Sequence, residues 1–217
     1  MLRHVRSIFI LTCFCGVFSA LALASDPAFD SPALRDAKTI LNKLAKQHHE
    51  SHSFALKFES HALGADGEPL PEMKGSLLVA DSGCFRLEFS QGVVVSDGKI
   101  LWQYFPANKQ VIVKEASDAG PVGGILIRFL QARPMKAKQQ NDGTLRVALD
   151  PASVGESLDS LILILDSEKS SVREVETLDP ADGRTHYNVK SLRFGVAVKS
   201  RDFTFQAPRG VETVDMR

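Results

Sequence analysis

The chain has 217 residues and carries 26 basic and 26 acidic side chains, so its formal net charge is zero. A nucleic-acid-binding surface needs a clear basic excess, and a polybasic membrane anchor needs a cluster of lysines and arginines, so both classes are disfavoured. A chain of this length can bury a sizeable core as a single domain. No internal repeat or low-complexity linker divides the sequence.

The first 24 residues have the pattern of a secretory signal peptide. Two arginines precede an apolar run over residues 8–23, which ends in an Ala-Leu-Ala cleavage motif. The alternative is a membrane anchor, but the run is shorter than the ~20 residues that span a bilayer. We therefore expect residues 1–24 to be removed and residues 25–217 to form one domain in the periplasm. Cys84 is the only cysteine of that domain, so no internal disulfide can form.

The segment after residue 30 predicts one amphipathic helix. Ser31 is a typical N-cap, and Pro32 is a typical first helical residue. Apolar side chains then recur at helical spacing while lysines occupy the other positions, and we expect about four turns ending near His48. The apolar positions are Leu34, Ala37, Ile40, Leu41 and Leu44.

From residue 53 onward the apolar period changes to two residues, which is typical of β-strands. Turn residues separate the alternating segments, so neighbouring strands are expected to pair in sequential antiparallel order. We therefore predict an α+β protein that is mainly antiparallel β, with about eleven strands in a sheet that curls or closes to hide its edges. The predicted strands cover residues 53–59, 75–80, 85–89, 93–96, 100–105, 111–114, 145–149, 161–165, 172–178, 185–194 and 203–205.

Residues 93–106, with the sequence VVVSDGKILWQYFP, predict a hairpin. The central Asp-Gly dipeptide is a strong signal because both turn positions tolerate positive φ. In the second strand Trp102 and Tyr104 point one way, and Leu101 and Phe105 point the other. A half-solvated strand would show one polar face. We therefore expect both faces of this strand to be covered, or one to be covered while the other faces an apolar cavity.

Glycines within residues 120–124 precede a short apolar segment that is predicted to form a helix over residues 125–130. The glycines allow the chain to reorient at this point. Two interpretations remain open: a core helix that simply packs, or a mobile cover over an apolar space. In the second case the covering side chains are Ile125, Leu126, Phe129 and Leu130.

The sequence contains no recognisable catalytic set. The motifs of nucleophilic hydrolases, zinc proteases, dithiol oxidoreductases and P-loop proteins are absent, so the chain is predicted not to be an enzyme. The histidines of residues 48–52 lack further ligands at matching spacing, and neither a metal site nor a cofactor is expected. Cys84 is interpreted as a small buried side chain rather than a nucleophile.

Four segments, spread over nearly the whole predicted mature chain, have an order and spacing that match a known family. They are Ser53-Phe54 with Phe58; Gly75-Ser76-Leu77-Leu78-Val79 followed by Phe85-Arg86; Val95-Ser96-Asp97-Gly98-Lys99-Ile100-Leu101-Trp102 with Tyr104 and Pro106; and Phe203-Thr204-Phe205 with Pro208, Gly210, Val211 and Asp215. Together they resemble the periplasmic outer-membrane lipoprotein carriers of the LolA type.

The resemblance implies an unclosed antiparallel β-barrel, a half-barrel, with helices forming a lid over an apolar cavity. It implies a periplasmic carrier that shields the acyl chains of lipoproteins between the inner and the outer membrane. The implied partners are lipoproteins, an inner-membrane lipoprotein-releasing ABC transporter and an outer-membrane receptor, and we expect a monomer. Shared alternation and the resemblance together predict that the cavity is lined by Phe54, Leu56, Phe58, Leu77, Val79, Phe85, Leu87, Phe89, Trp102 and Tyr104.

One segment departs from the family pattern. The family has an Arg-Pro pair after the second strand, and its arginine holds the lid closed, whereas here Asp81 and Ser82 occupy these positions. A carboxylate cannot donate the corresponding hydrogen bonds. Other interpretations also remain open: a barrel that fills its own interior, a periplasmic sensor or partner-binding module of the same fold, and a carrier of another amphiphile such as a glycolipid.

Overall fold

The structure is a computed structural model that describes residues 31–80, 83–119, 125–155 and 157–217, with the backbone alone at residues 118–119 and 125–127. It confirms an α+β architecture dominated by one sheet, which has twelve strands. The predicted signal peptide, Asp81 with Ser82, and the glycines of residues 120–124 lie outside the described residues. Neither of the two α-helices described has the length and apolar character needed to cross a membrane.

Two α-helices and twelve strands form the framework of the described chain. Helix α1 spans Pro32–Ser51, and helix α2 spans Ile125–Gln131. The strands are β1 Ser53–Leu63, β2 Met73–Ala80, β3 Cys84–Phe89, β4 Gly92–Asp97, β5 Ile100–Phe105, β6 Gln110–Glu115, β7 Pro134–Gln139, β8 Thr144–Leu149, β9 Ser160–Asp166, β10 Ser171–Asp179, β11 Gly183–Phe194 and β12 Glu212–Asp215.

The sheet consists of two antiparallel meanders that share one seam. Strands β1 to β6 pair in sequential order, as predicted, and β7 to β11 do the same. The seam is the pairing of β1 with β11, so the full order is β12-β6-β5-β4-β3-β2-β1-β11-β10-β9-β8-β7. The two ends of this order, β12 and β7, leave the sheet unclosed, which confirms the half-barrel.

Helix α1 begins and ends where local chemistry requires. The Leu34 N–H donates a hydrogen bond to the Ser31 hydroxyl oxygen at 3.2 Å, which caps the first turn. The helix ends at Ser51, slightly beyond the prediction, because His52 adopts a left-handed conformation with φ 58° and donates its N–H to the His48 carbonyl. All five predicted apolar positions of the helix are buried.

We call the sheet face on which α1 and α2 pack the inner face. Directly paired residues of neighbouring strands point to the same side of a sheet. Phe54 pairs with Val79, Val79 with Phe85, Phe85 with Ser96, and Ser96 with Leu101, so one inner row crosses five strands. The aromatic and aliphatic side chains of this row pack in one hydrophobic cluster with the apolar side of α1.

The C-terminal part of the chain packs on the opposite, outer face of β3 to β5. Phe203 ends a 3-10 turn over Ser200–Phe203 that contacts β3 and β4, and its side chain is only 4% exposed. The ring of Phe205 lies 5.7 Å from that of Tyr104. The prediction of a strand at residues 203–205 is therefore wrong, because Phe203, the first residue of that predicted strand, belongs to the 3-10 turn. The expectation that both faces of β5 are covered is confirmed.

The sequence pattern predicts neither of the two edge strands. Strand β7 has the sequence PMKAKQ and β12 has the sequence ETVD, and neither alternates apolar with polar residues over its length. Edge strands are commonly charged because charge discourages pairing with other chains. Strand β12 also pairs in parallel with β6, which is distant in the sequence, so no local turn signal announces it.

Gly92→Ala should lower the free energy of unfolding by about 2 kcal/mol because it overpacks a buried site. A Cβ atom at Gly92 would lie 2.4 Å from the Tyr104 carbonyl oxygen and 3.1 Å from the Phe105 ring. Urea denaturation followed by circular dichroism checks this, with Gln91→Ala at the exposed neighbouring position as control. The control should change stability by less than about 0.5 kcal/mol. Equal effects of the two variants would contradict this packing.

Candidate functional site: the inner face and its helical cover

Eight of the ten predicted lining residues share the inner face. Five of them are at most 9% exposed, and the other three are half-buried against the same hydrophobic cluster. Strand pairing arranges them in three adjacent rows across β1, β2 and β3. The rows are Phe54, Val79 and Phe85; Leu56, Leu77 and Leu87; and Phe58 and Phe89 on either side of Gly75.

Trp102 and Tyr104 lie on the outer face, so the predicted common surface is wrong for these two residues. Trp102 pairs with Val95, and Tyr104 pairs with Val93. Both alternate along β5 with Leu101, which belongs to the inner row. Consecutive strand residues point to opposite faces, and alternation in one strand does not reveal which of its faces continues the face of another strand.

The prediction also missed much of the inner face. On β5, Leu101 is fully buried and the Phe105 ring lies 6.2 Å from the Phe89 ring. The second meander contributes slightly more buried side chains to the hydrophobic cluster than the first. The alternating runs TLRVAL of β8 and SLILILD of β9 were the available signal. Their inner residues are Leu145, Val147, Leu149, Leu161, Leu163 and Leu165.

Two helices cover this face, and α1 contributes the larger part. It contacts β7 and β8 near one edge of the sheet and reaches the seam strands β1 and β11. At its C-terminal end, the His48 ring meets the Phe54 ring edge-on at 5.8 Å. Helix α2 packs on α1, and its Phe129 and Leu130 are 5% and 2% exposed. The side chains of the other two predicted lid residues, Ile125 and Leu126, lie outside the described part of the chain.

Charged side chains near the seam of β1 and β11 pair on the outer face. Glu59, which alternates with the inner Phe58, lies 2.8 Å from the Lys190 ammonium and 3.3 Å from that of Lys74. Hydrogen bonds from Lys190 and then Lys74 lower the pKa of the Glu59 carboxyl. At this seam the inner face carries apolar side chains, and the charged side chains pair on the other side of the sheet.

A second charged network joins β8, β10 and β11 on the outer face. Arg146 donates hydrogen bonds of 2.8 and 2.7 Å to the two carboxylate oxygens of Glu176. The Nε2 atom of His186 lies 3.0 Å from the Glu174 carboxylate. One ligand atom each of Glu174, Glu176 and His186 lies within 4.8 Å of the others, which is a spacing that can suit a metal ion. Because both carboxylate oxygens of Glu176 already accept hydrogen bonds from Arg146, we interpret the three residues as part of an ion-pair network.

Two surface depressions reach the apolar cluster. A cleft of about 550 Å³ opens between β10 and β11, and its apolar part includes Val172 and Leu192. A groove of about 290 Å³ runs between α1 and the turn from α2 to β7, where Leu41 and Leu130 lie. The cleft has the size of an ordinary small-molecule site, for which ~300–1,000 Å³ is typical.

The family model of the outer membrane lipoprotein carrier protein LolA matches residues 49–206 of this chain. The chain belongs to this family. The match extends from the last turn of α1 through β11 to the C-terminal segment that covers the outer face. The predicted membership of this family is thereby confirmed. LolA-family proteins are carriers rather than enzymes, in agreement with the prediction that this chain is not an enzyme.

Two proteins named outer-membrane lipoprotein carrier protein are similar to this chain over most of its length. The one from Cronobacter sakazakii (strain ATCC BAA-894) is 29% identical over 212 residues, which is 94% of this chain and 96% of the relative. The one from Pseudomonas putida (strain GB-1) is 26% identical over 205 residues, or 90% and 95%. A solved structure of an uncharacterized conserved protein from Thermus thermophilus shares the fold, with a TM-score of 0.52 at 12% identity and coverage of 82% and 98%.

Arg146→Met should lower the free energy of unfolding at neutral pH by about 1 kcal/mol, since a charge-assisted hydrogen-bonded pair is lost at a partly exposed site. Hydrogen bonds from Arg146 lower the pKa of the Glu176 carboxyl in the folded protein. This stabilisation is present above the unfolded pKa and is lost as pH falls through the folded pKa. The difference between parent and variant should therefore shrink at pH values below about 4.5.

Denaturation curves between pH 7 and pH 3 measure this difference. Arg173→Met is a matched control because Arg173 and its partner Asp142 are both about half exposed, at 51% and 55%, and surface pairs of this kind contribute little. A pH-independent difference for Arg146→Met would contradict the assigned role of the Glu176 carboxylate.

Proposed function

We propose that this protein is a periplasmic lipoprotein carrier that shelters acyl chains between the inner face of the sheet and its two helices. One observation carries the proposal: a continuous apolar surface runs across β1 to β5 and β8 to β11 and packs in one hydrophobic cluster with the two helices. The named roles of the relatives from Cronobacter and Pseudomonas support the choice of lipoproteins as cargo.

The energetics of acyl chains require such a surface. Exposure to water costs ~0.8 kcal/mol per methylene, so a chain of about fourteen methylenes gains roughly 11 kcal/mol on burial before other losses. An apolar surface without directed hydrogen bonds binds by area. Cargo can therefore move on to any partner that buries more of the same chain, without an energy source at the acceptor.

The inner face and the helices already pack against each other in this structure. Ala37, Leu41 and Leu44 of α1 are at most 3% exposed within the cluster that contains Phe54 and Phe85. An acyl chain can enter only if it takes the place of these helix contacts. Since helix and acyl chain both bury the same apolar surface, the exchange conserves most of the buried area. We propose that α1 and α2 together move from the sheet when cargo binds.

The proposed route begins with a lipoprotein-releasing ABC transporter of the inner membrane and ends at a receptor of the outer membrane. The predicted export of this chain by an N-terminal signal peptide fits that route. The low net charge fits it as well, because it gives no reason for a lasting attachment to an anionic membrane surface. We propose that the carrier acts as a monomer, since a soluble shuttle needs its lid free on each trip.

Trp102 is the only tryptophan of the chain, which makes the proposed site directly testable. A palmitoylated lipopeptide with a brominated acyl chain should quench Trp102 weakly, because that ring lies on the outer face. In the double variant Trp102→Phe with Phe105→Trp, the indole moves to the inner face and should be quenched several-fold more strongly. The same lipopeptide without bromine, titrated against both proteins, controls for changes in folding.

Equal quenching of the two proteins would place the acyl chain elsewhere and would contradict the proposed site. Failure of the parent protein to retain the lipopeptide in gel filtration would contradict the carrier function itself. Extraction of the purified protein followed by mass spectrometry adds an independent readout, since a carrier should retain some acylated material from its source.

A further inference from the structure

The sheet is split between β10 and β11 at one end. The two strands pair from Asp179 with Gly183 up to Glu174 with Asn188, where the ladder stops. Strand β11 nevertheless continues along β1 to Phe194, and β10 begins along β9 at Ser171. Both strands therefore continue beyond the ladder that they share. There β10 remains paired with β9, and β11 remains paired with β1.

A β-bulge lies on each side of this split. In β10 the pairing with β9 passes from Val172 directly to Glu174, which leaves Arg173 as the extra residue. In β11 the partners of Lys57 and Phe58 on β1 are Ser191 and Val189, which leaves Lys190 as the extra residue. Bulges bend strands, end pairing and re-aim side chains, and they are frequent next to functional sites. Here both extra residues are cations.

The split is the cleft of about 550 Å³ described above. Its deep side is apolar, with Val172, Val189 and Leu192 packed in or against the hydrophobic cluster of the inner face. Its walls carry the two bulge cations and Lys169, with Asp166 as the acidic member. The cleft therefore leads from a charged outer rim to the apolar cluster beneath the helices.

We infer that this cleft is the passage through which the extended peptide segment behind the acylated residue of a bound lipoprotein leaves the carrier, its carboxylates facing Arg173 and Lys190. The inference rests on the proposed function. Acyl chains inside and a folded cargo domain outside must be joined by a polypeptide that crosses the wall of the carrier. A peptide crossing an apolar wall needs partners for its backbone groups.

The diverging strands provide such partners. An extended peptide can add to an exposed strand edge through main-chain hydrogen bonds, and β10 offers three residues, 171–173, before the ladder with β11 begins. At ~3.3 Å per residue this edge is about 10 Å long, enough to pair with three or four residues of an extended chain. Crossing here leaves the seam of β1 with β11 intact.

The cations at the rim of the cleft can exchange their present acidic partners for carboxylates of the cargo. Lys190 is paired with Glu59 and Arg173 with Asp142, and the two cations are 52% and 51% exposed. Lys169 lies 3.7 Å from Asp166 and is 78% exposed. Exposed pairs of this kind contribute little, so a carboxylate of the cargo can replace an existing partner at small cost. Complementary charge then favours acidic segments and makes their binding sensitive to salt.

Photocrosslinking tests the passage directly. The probe is a synthetic lipopeptide with an acylated N-terminal cysteine, a diazirine amino acid at its third position and glutamates at its fourth and fifth positions. Crosslinks should map to residues 171–173 and 189–192 by mass spectrometry. Crosslinks to α1 or to the turn from α2 to β7, where the second depression lies, would overturn the inference.

Charge variants give a second, independent readout. The double variant Arg173→Gln with Lys190→Gln should bind the acidic lipopeptide about tenfold more weakly, and the loss should shrink at high salt. It should bind the same lipopeptide with glutamines in place of glutamates as the parent does. Lys99→Gln with Lys136→Gln, at two exposed positions away from the cleft, is the matched control and should change neither affinity.

The outcomes separate this inference from the proposed function. If brominated acyl chains still quench a tryptophan on the inner face while crosslinks and charge variants show no effect at the cleft, only the passage is wrong. If no acyl chain reaches the inner face, the carrier function and the passage fail together. Parent-like circular dichroism and thermal midpoint of each variant are required before either conclusion is drawn.

Discussion

The packing of α1 against the inner face is the interaction on which the rest of the structure depends. An unclosed sheet leaves one face without a second sheet, and here that face is apolar on both sides of the seam between β1 and β11. Helix α1 crosses from the β7–β8 end to this seam and buries its whole apolar stripe there. Without it, the face would be exposed to water and would promote aggregation. Two helices that pack on the sheet through side chains can move away from it together. A strand cannot do so without breaking the hydrogen bonds to its neighbours.

The outer face of β3 to β5 has a different kind of cover. The C-terminal chain crosses it with Phe203 and Phe205 and then continues into β12, which is hydrogen-bonded to β6 along four residue pairs. Val95, Val111 and Val113 lie on the outer face and are buried. A cover that ends in a strand of the same sheet is tied to it by ladder hydrogen bonds. The covers of the two faces are thus held differently. The cover of the outer face is anchored by the hydrogen bonds between β12 and β6, whereas the cover of the inner face is held by helix packing.

How far the sequence could predict this arrangement depends on the range of each interaction. Helix α1 and the meander from β1 to β6 follow from local signals, namely the Ser31 cap, apolar periods and the Asp97-Gly98 turn. The faces of single strands also follow, but assigning Trp102 to the surface of Phe54 required knowledge of four successive registers. Strand β12 and the split between β10 and β11 arise from pairing over long sequence separations and from bulges, for which no local residue pattern exists.

The proposed function requires that the two helices move away from the inner face when cargo binds. Spin labels can follow that motion. In a Cys84→Ser background, one label at Lys43→Cys on the exposed side of α1 and one at Glu88→Cys on the outer side of β3 report the separation of helix and sheet by double electron–electron resonance. Both positions are solvent-exposed, so labelling should leave the core intact. Saturating palmitoylated lipopeptide should lengthen this distance. An unchanged distance in protein shown to hold the lipopeptide would contradict a cover that moves.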